Sequence, residues 1–292
     1  MSLLVRAEPS DEAQVPGPST YPPADCFEAL QTQQEEIEKA IKESGPLVSE
    51  PLPLSTLAED FNGHTVYLEK LELLKKRYSN IRRLRRDGNC FYRAFGFAYI
   101  EYLMQGKRKE EAKRWDFHPS IHVCQFRFIR FCDECKEFLI SVGYTEFTVE
   151  DFHEQFTGMV EKLVLQGSQL SELEDLFNNQ SYSDYYVVFL RLSVSSYMQR
   201  NESFYSNFIS NDKTVRRFCE TEVEPMGLEC DNVHVAALAL AMDVPIKIEN
   251  CQQSGDLNKL EFPGRENASA GERAAAPVVL LYRPGHYDIL YA

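Results

Sequence analysis

The sequence predicts an α+β protein, mostly helical, with a small, mainly antiparallel sheet built from its C-terminal third. Three observations predict it. Between residues 26 and 242, apolar side chains recur at helical spacing in one stretch after another. Strand-like alternation comes late, at Val244, Ile246 and Ile248 and then in residues 278–282 and 286–291, which flank the hairpin turn Arg283-Pro284-Gly285. Helices first and strands afterwards mark α+β rather than an alternating α/β order. At 292 residues, 43% of them hydrophobic, the chain suffices for one large domain or two small ones.

Residues 1–24 are rich in Pro, Ser, Glu and Ala and poor in large apolar groups, so they are expected to be a disordered tail. Phe27, Leu30, Ile37 and Ile41 form a thin helical stripe that Gly45 and Pro46 end. Such a helix is marginal alone. It either packs permanently on the domain or becomes ordered on a partner. Residues 51–61 read as turn-like. Tyr67, Leu71, Leu74 and Tyr78 recur at helical spacing, followed by Arg82, Arg83, Arg85 and Arg86. That basic cluster reads as a solvated face or a local attraction for an acidic part of a substrate.

A helix is predicted from Phe91, continuing through the charged residues 107–113 to a loop at residues 115–119. His118, His122, Cys124, Cys132 and Cys135 raise the question of zinc. However, Phe128, Phe131, Cys132, Cys135, Leu139 and Val142 follow helical spacing, which puts both paired cysteines on an apolar stripe ending at Gly143. Core packing is the better reading, and no metal or cofactor is expected. Thr148-Val149-Glu150-Asp151 resembles a capping box before Phe152, Phe156, Met159, Val160 and Leu163, with His153 at the edge of the stripe. Residues 171–177 read as a short helix, and residues 183–198, apolar nearly all round, as a buried one. Residues 202–209 and 214–222 are two more. Asp231 caps a helix of small apolar residues carrying His234, read as a core histidine. Residues 250–276 read as a polar loop.

The stretch with chemistry in it is Asp87-Gly88-Asn89-Cys90, a tight turn that ends on a cysteine at a helix start. The unpaired N–H groups and dipole there should draw the thiol pKa below its free value of about 8.5. The alternative is a buried structural thiol. The second informative stretch is Gly285-His286-Tyr287-Asp288-Ile289-Leu290-Tyr291. On a strand, His286 and Asp288 share one face, so the carboxylate can fix the tautomer of the imidazole. Together the two stretches supply the parts of a Cys-His-Asp hydrolase.

Both stretches resemble the catalytic blocks of the otubains, ovarian-tumour-type (OTU) cysteine deubiquitinases with a papain-like fold. The likeness extends through residues 147–153, 186–192 and 223–226, covering roughly residue 46 to the C-terminus. It implies Cys90 as nucleophile, His286 as general base, Asp288 as its orienter and Asp87 in the loop that shapes the oxyanion pocket. It also implies hydrolysis of lysine-linked polyubiquitin, preferentially of the linkage that directs proteins to the proteasome. An N-terminal arm, here residues 25–45, would hold ubiquitin or a ubiquitin-conjugating enzyme beside a catalytic domain at 46–292. The alternative function is a non-catalytic binder and inhibitor of conjugating enzymes. Two departures from the family pattern stand out: Arg86 where proline is expected, and a longer stretch at about residues 105–136.

The formal charge of −14 argues against a nucleic-acid binder. No apolar run approaches a membrane span. With no export signal, the eight cysteines read as reduced thiols of a cytoplasmic and nuclear protein, expected to be a monomer.

Overall fold

The computed structural model describes residues 24–112, 120–210, 212–264 and 276–292. The expected tail, the loop at 115–119 with His118, and the side chains of His122 and Cys124 lie outside the described residues. Contacts divide the chain after Glu43. The first unit holds helix α1 (Ala24–Glu43), as the Phe27–Ile41 stripe predicts.

The second unit, Ser44–Ala292, opens with strand β1 (Leu52–Pro53), α2 (Leu57–Asp60), α3 (Thr65–Lys75) and strand β2 (Asn80–Arg82). Its helical body is α4 (Cys90–Ala112), α5 (Ser120–Ser141), α6 (Glu146–Val160), α7 (Leu170–Asn178), α8 (Gln180–Arg200), α9 (Glu202–Tyr205), α10 (Val215–Phe218) and α11 (Asn232–Met242). Strands β3 (Ile246–Asn250), β4 (Asn258–Phe262), β5 (Val278–Arg283) and β6 (His286–Tyr291) complete it.

The six strands form one sheet in the order β1-β2-β6-β5-β3-β4. Only the β3–β5 pairing is parallel, so the sheet is mainly antiparallel. Strand alternation sends successive side chains to opposite faces and splits the core in two. Leu280 and Ile289 join the large cluster with Phe91, Phe95 and the interior of α8. Leu281 and Leu290 join a smaller cluster with Leu57, Phe61, Leu71 and Leu74 on α2, α3 and the turn after α2. The sheet is therefore covered on both sides, and β6 has a buried side chain at every position but its last.

Several expectations need correction. The sheet is not confined to the C-terminal third: β2 pairs with β6, Ile81 opposite Leu290 and Arg82 opposite Ile289. The predicted polar loop at 250–276 contains β4, an edge strand paired to β3 through Leu260 and Ile248. Arg82 is not on a solvated face. It is 1% exposed, bonded to Glu174 at 2.7 Å and stacked 4.8 Å from the Phe97 ring. No capping box opens at Thr148. The helix already starts at Glu146, and Thr145 at its N-cap makes no side-chain bond. By contrast, Cys132 and Cys135 are wholly buried on α5, as their stripe requires.

Candidate active site

Helix α4 begins at Cys90 because the turn before it cannot continue a helix backwards. Gly88 sits at φ +73°, and a Cβ there would collide with the Gly227 carbonyl, so only glycine fits. Asp87 Oδ1 accepts from the Asn89 N–H at 2.9 Å, closing an Asx turn. The Asn89 carbonyl then accepts from the Arg93 N–H at 3.1 Å, the first intrahelical bond. Asp87 is thus a turn-former, as expected, and its carboxylate also takes two bonds from Arg93 Nη1, at 3.0 and 2.7 Å.

Two fully buried arginines hold this turn in place. Arg93 donates to Ser183 and Asp184 besides Asp87, tying the turn to the start of α8. Arg191 donates through Nη2 to the Gly88 carbonyl, Asn89 Oδ1 and the Leu228 carbonyl, at 3.1, 2.9 and 2.8 Å. Its Nη1 reaches the Val223 carbonyl at 2.9 Å, and the guanidinium lies 4.5 Å over the Tyr92 ring. Asn89 Oδ1 also accepts the Gly227 N–H at 2.9 Å. The turn before Cys90 and the loop 223–228 are therefore one hydrogen-bonded unit. Sequence reasoning passed over both arginines. The available signal was Arg191 itself, a cation inside an otherwise apolar helix, where a buried charge must be paired.

The opposite wall is β6. His286 and Asp288 lie on one face, 1% and 0% exposed, with Nε2 and Oδ1 at 2.9 Å. Asp288 Oδ1 also accepts the Leu84 N–H at 3.0 Å, and Oδ2 takes Arg283 Nη2 at 2.6 Å. Arg283 is braced in turn by Asp60 at 3.0 Å. Burial alone would raise the Asp288 carboxyl, but the His286 bond and charge, the Arg283 cation and the Leu84 N–H outweigh it and hold the pKa at about 2. An ionised Asp288 makes Nε2 the donor. Nδ1 is buried and without a hydrogen-bond partner among the described residues.

Cys90 is 5% exposed. The backbone N–H of Tyr287, the residue next to His286, donates to its sulfur, and Phe91 packs edge-on against the Tyr287 ring at 5.2 Å. Burial pushes the thiol up to about 11, and the Tyr287 N–H opposes this only in part. The expected depression of this pKa by the helix start is overturned. Loss of water around the sulfur outweighs the N–H groups, so the resting group at neutral pH is a thiol. A cleft of about 760 Å³ opens on the face of His286 and Asp288, and a pocket of about 250 Å³ lies against Tyr287 with Cys230 and Asp231.

The other candidates fall elsewhere. His234 Nδ1 accepts the Asp231 N–H at 3.0 Å and is held by burial at a pKa of about 4, a core histidine as expected. His153 bonds Asp133 at 2.9 Å across α5 and α6. Among the described residues no His, Cys, Asp and Glu cluster is placed to hold a metal ion, and no helix is long and apolar enough to cross a membrane. The described cysteines are free thiols.

A nucleophile-bearing residue at a braced helix start thus faces a strand whose imidazole is oriented by a carboxylate, the layout of a thiol hydrolase. The family description Peptidase C65 Otubain matches residues 40–292. The chain belongs to the otubain family. Ubiquitin thioesterase OTUB1 of Homo sapiens is 41% identical over 294 residues, covering 99% of this chain and 100% of that protein. Ubiquitin thioesterase OTUB2 of Homo sapiens is 34% identical over 84% of this chain and 95% of its own. The ovarian-tumour-domain deubiquitinating enzyme 1 of Arabidopsis thaliana is 36% identical over 89% of this chain and 83% of its own. Among solved structures, an OTUB1 complex with ubiquitin aldehyde and UBC13~Ub superposes with TM-score 0.78 at 28% identity, over 91% of this chain and 98% of that one. A second, with ubiquitin aldehyde and UBCH5B~Ub, gives 0.77 at 28% identity, with the same coverage. The resemblance carried by the Cys90 and His286 blocks therefore holds, and the α+β class holds with it.

Proposed function

We propose that this otubain is a cysteine-type deubiquitinase that cleaves lysine-linked polyubiquitin with Cys90 as nucleophile, His286 as proton carrier and Asp288 as its orienter. One observation carries the reading. The buried His286–Asp288 pair leaves Nδ1 free on the same strand that offers its next N–H, that of Tyr287, to the Cys90 sulfur. Nδ1 takes the thiol proton as the sulfur attacks the carbonyl of a ubiquitin C-terminal glycine. The negative charge that develops on the carbonyl oxygen is met by backbone N–H groups at the α4 start and its turn, whose geometry Arg93 and Arg191 fix. The C–N bond then breaks, the lysine amine leaves with the proton from His286, and a thioester remains. Water, deprotonated by the same ring, cleaves the thioester and frees the ubiquitin carboxylate. Because Cys90 rests as a thiol, its proton moves only when the substrate carbonyl is in place.

The finer reading assigns a preference for the proteasome-targeting linkage and gives α1 the role of an arm that holds a second ubiquitin or a conjugating enzyme. A second reading, sequestration of charged conjugating enzymes without catalysis, is favoured by one observation: the superposing OTUB1 structures contain UBC13~Ub and UBCH5B~Ub.

The deciding experiment mixes the protein, and separately Cys90→Ala, with ubiquitin carrying a C-terminal electrophile. A covalent adduct with wild type alone supports the enzyme. No adduct, together with undiminished blocking of ubiquitin transfer, makes it a binder. A di-ubiquitin panel with and without residues 1–45 tests the arm, whose role is lost if the preferred linkage is cleaved equally without it.

A further inference from the structure

The cleft on the His286 face carries a charge opposite to that of the chain. Arg83, Arg85, Arg86 and Arg283 line it, against Asp60 and Asp288 as the acidic members, in a chain of net charge −14. Three of the arginines are committed. Arg83 bonds Asp60 at 3.1 Å and the Thr56 carbonyl, and Arg283 bonds Asp288 and Asp60. Arg85 bonds the Gly45 carbonyl and Gln180 at 3.0 Å. Arg86 is exposed and has no ion pair or hydrogen bond among the described residues. It stands where the family pattern led us to expect proline.

The cleft also has a side. Its lining includes His286 and Asp288 but not Cys90. The sulfur takes the acyl half of the substrate, and the imidazole delivers a proton to the amine half. Space that opens on the imidazole without the sulfur therefore belongs to the leaving group. We infer that Arg86 is a specificity-determining residue for the leaving-group side, where it pairs with an acidic side chain near the acceptor lysine of the proximal protein. This rests on the proposed hydrolase and extends it, because it names the chemistry of the half that departs. A solvent-exposed pair acts modestly and is screened by salt. It favours binding of the larger substrate and leaves the acyl chemistry alone.

The test compares two substrates in the full-length protein: di-ubiquitin of the preferred linkage, and ubiquitin joined to a small neutral fluorogenic amine. Arg86→Gln should raise KM for di-ubiquitin about three- to fivefold and Arg86→Glu about tenfold, with kcat little changed. Both variants should cleave the fluorogenic substrate within about twofold of wild type. Raised salt should shrink the difference between wild type and Arg86→Glu. Reversing the acidic side chains near the acceptor lysine of the proximal ubiquitin should restore Arg86→Glu. An equal fall on both substrates would show that Arg86 acts through the turn before Cys90, and an unchanged KM would show that it touches nothing. Either result overturns the inference. Failure of wild type to cleave either substrate would instead remove the hydrolase reading itself.

Discussion

Among the described residues, two of the places where a cysteine, a histidine and an aspartate come together invite comparison, and one of the two has the layout of a reactive site. The first is Cys90 with His286 and Asp288. The second lies on α5 and α6, where Cys132 adjoins Asp133 in the chain and Asp133 bonds His153. Both histidine–aspartate contacts measure 2.9 Å, and both rings have a buried, unpartnered Nδ1. The difference is in the surroundings. The Asp133 side chain is half exposed, while Asp288 is fully buried and takes bonds from His286, Leu84 and Arg283. Adjacent helical residues point about 100° apart, so Cys132 turns into the core while Asp133 turns outward. On a strand His286 and Asp288 share a face, and Tyr287 between them presents its N–H to the Cys90 sulfur. Residue types and one distance do not make a site. The backbone that aligns them does.

The largest expected effect separates the two cysteines. Cys90→Ala should lower ubiquitin hydrolysis by about four orders of magnitude or more. Cys132→Ala should leave kcat within about twofold and lower stability by about 1–2 kcal/mol through a small cavity. Turnover together with denaturant melts checks both. Loss of activity in a folded Cys132→Ala protein would break the comparison.

Next come the aspartates. Asp288→Asn keeps the shape but removes the charge that holds Nε2 as donor, so kcat should fall about 10²- to 10⁴-fold. Asp133→Asn should leave kcat unchanged within about twofold. Equal effects of the two changes, measured with a fluorogenic ubiquitin substrate, would mean that burial of the carboxylate is not what distinguishes the sites.

A third contrast concerns the resting thiol. With Cys90 held at about 11, its alkylation by a small neutral reagent should rise about tenfold per pH unit from 7 to 10. Peptide mapping by mass spectrometry would follow Cys90 and Cys132 separately. Cys132, wholly buried and with its thiol pKa pushed well above the usual value by that burial, should stay unlabelled in the folded protein. A plateau for Cys90 at neutral pH would instead reveal a preformed thiolate–imidazolium pair.

The reactive place was legible in the sequence because its cues are local. A turn-forming Asp-Gly-Asn run sets Cys90 at a helix start, and alternation sets His286 and Asp288 on one face. What brings them together is not local. β2 pairs with β6 over some 200 residues of chain, and three residues carry too little periodicity to announce a strand. β4 is an exposed edge whose Asn, Lys and Glu read as loop. The bracing arginines were hidden for the same reason, since Arg82, Arg93 and Arg191 find their partners in distant elements. The helix-start signal points the wrong way for the thiol pKa, because that signal is a property of the sequence while burial around Cys90 is a property of the folded packing.

The smallest effect tests whether the ionised Asp288 is a property of the fold or only of catalysis. Its pKa lies at about 2 in the native protein, below the ordinary 3.8. A depressed carboxyl binds fewer protons when folded than when unfolded, so its charge stabilises above pH 3.8, and that stabilisation is lost as pH falls through about 2. The shift corresponds to about 2 kcal/mol at neutral pH. Asp288→Asn lacks this dependence, so the stability gap between wild type and variant should be widest near pH 6. It should narrow by about half of that increment near pH 3, because the other carboxyls titrate in both proteins and cancel. The same subtraction for Asp133→Asn should stay within about 0.5 kcal/mol at either pH, since half-exposed pairs contribute little. Denaturant titrations at the two pH values decide it. A gap for Asp288→Asn that does not change with pH would mean that the native carboxylate is no easier to ionise than in the unfolded chain. The buried strand would then orient His286 by shape rather than by charge.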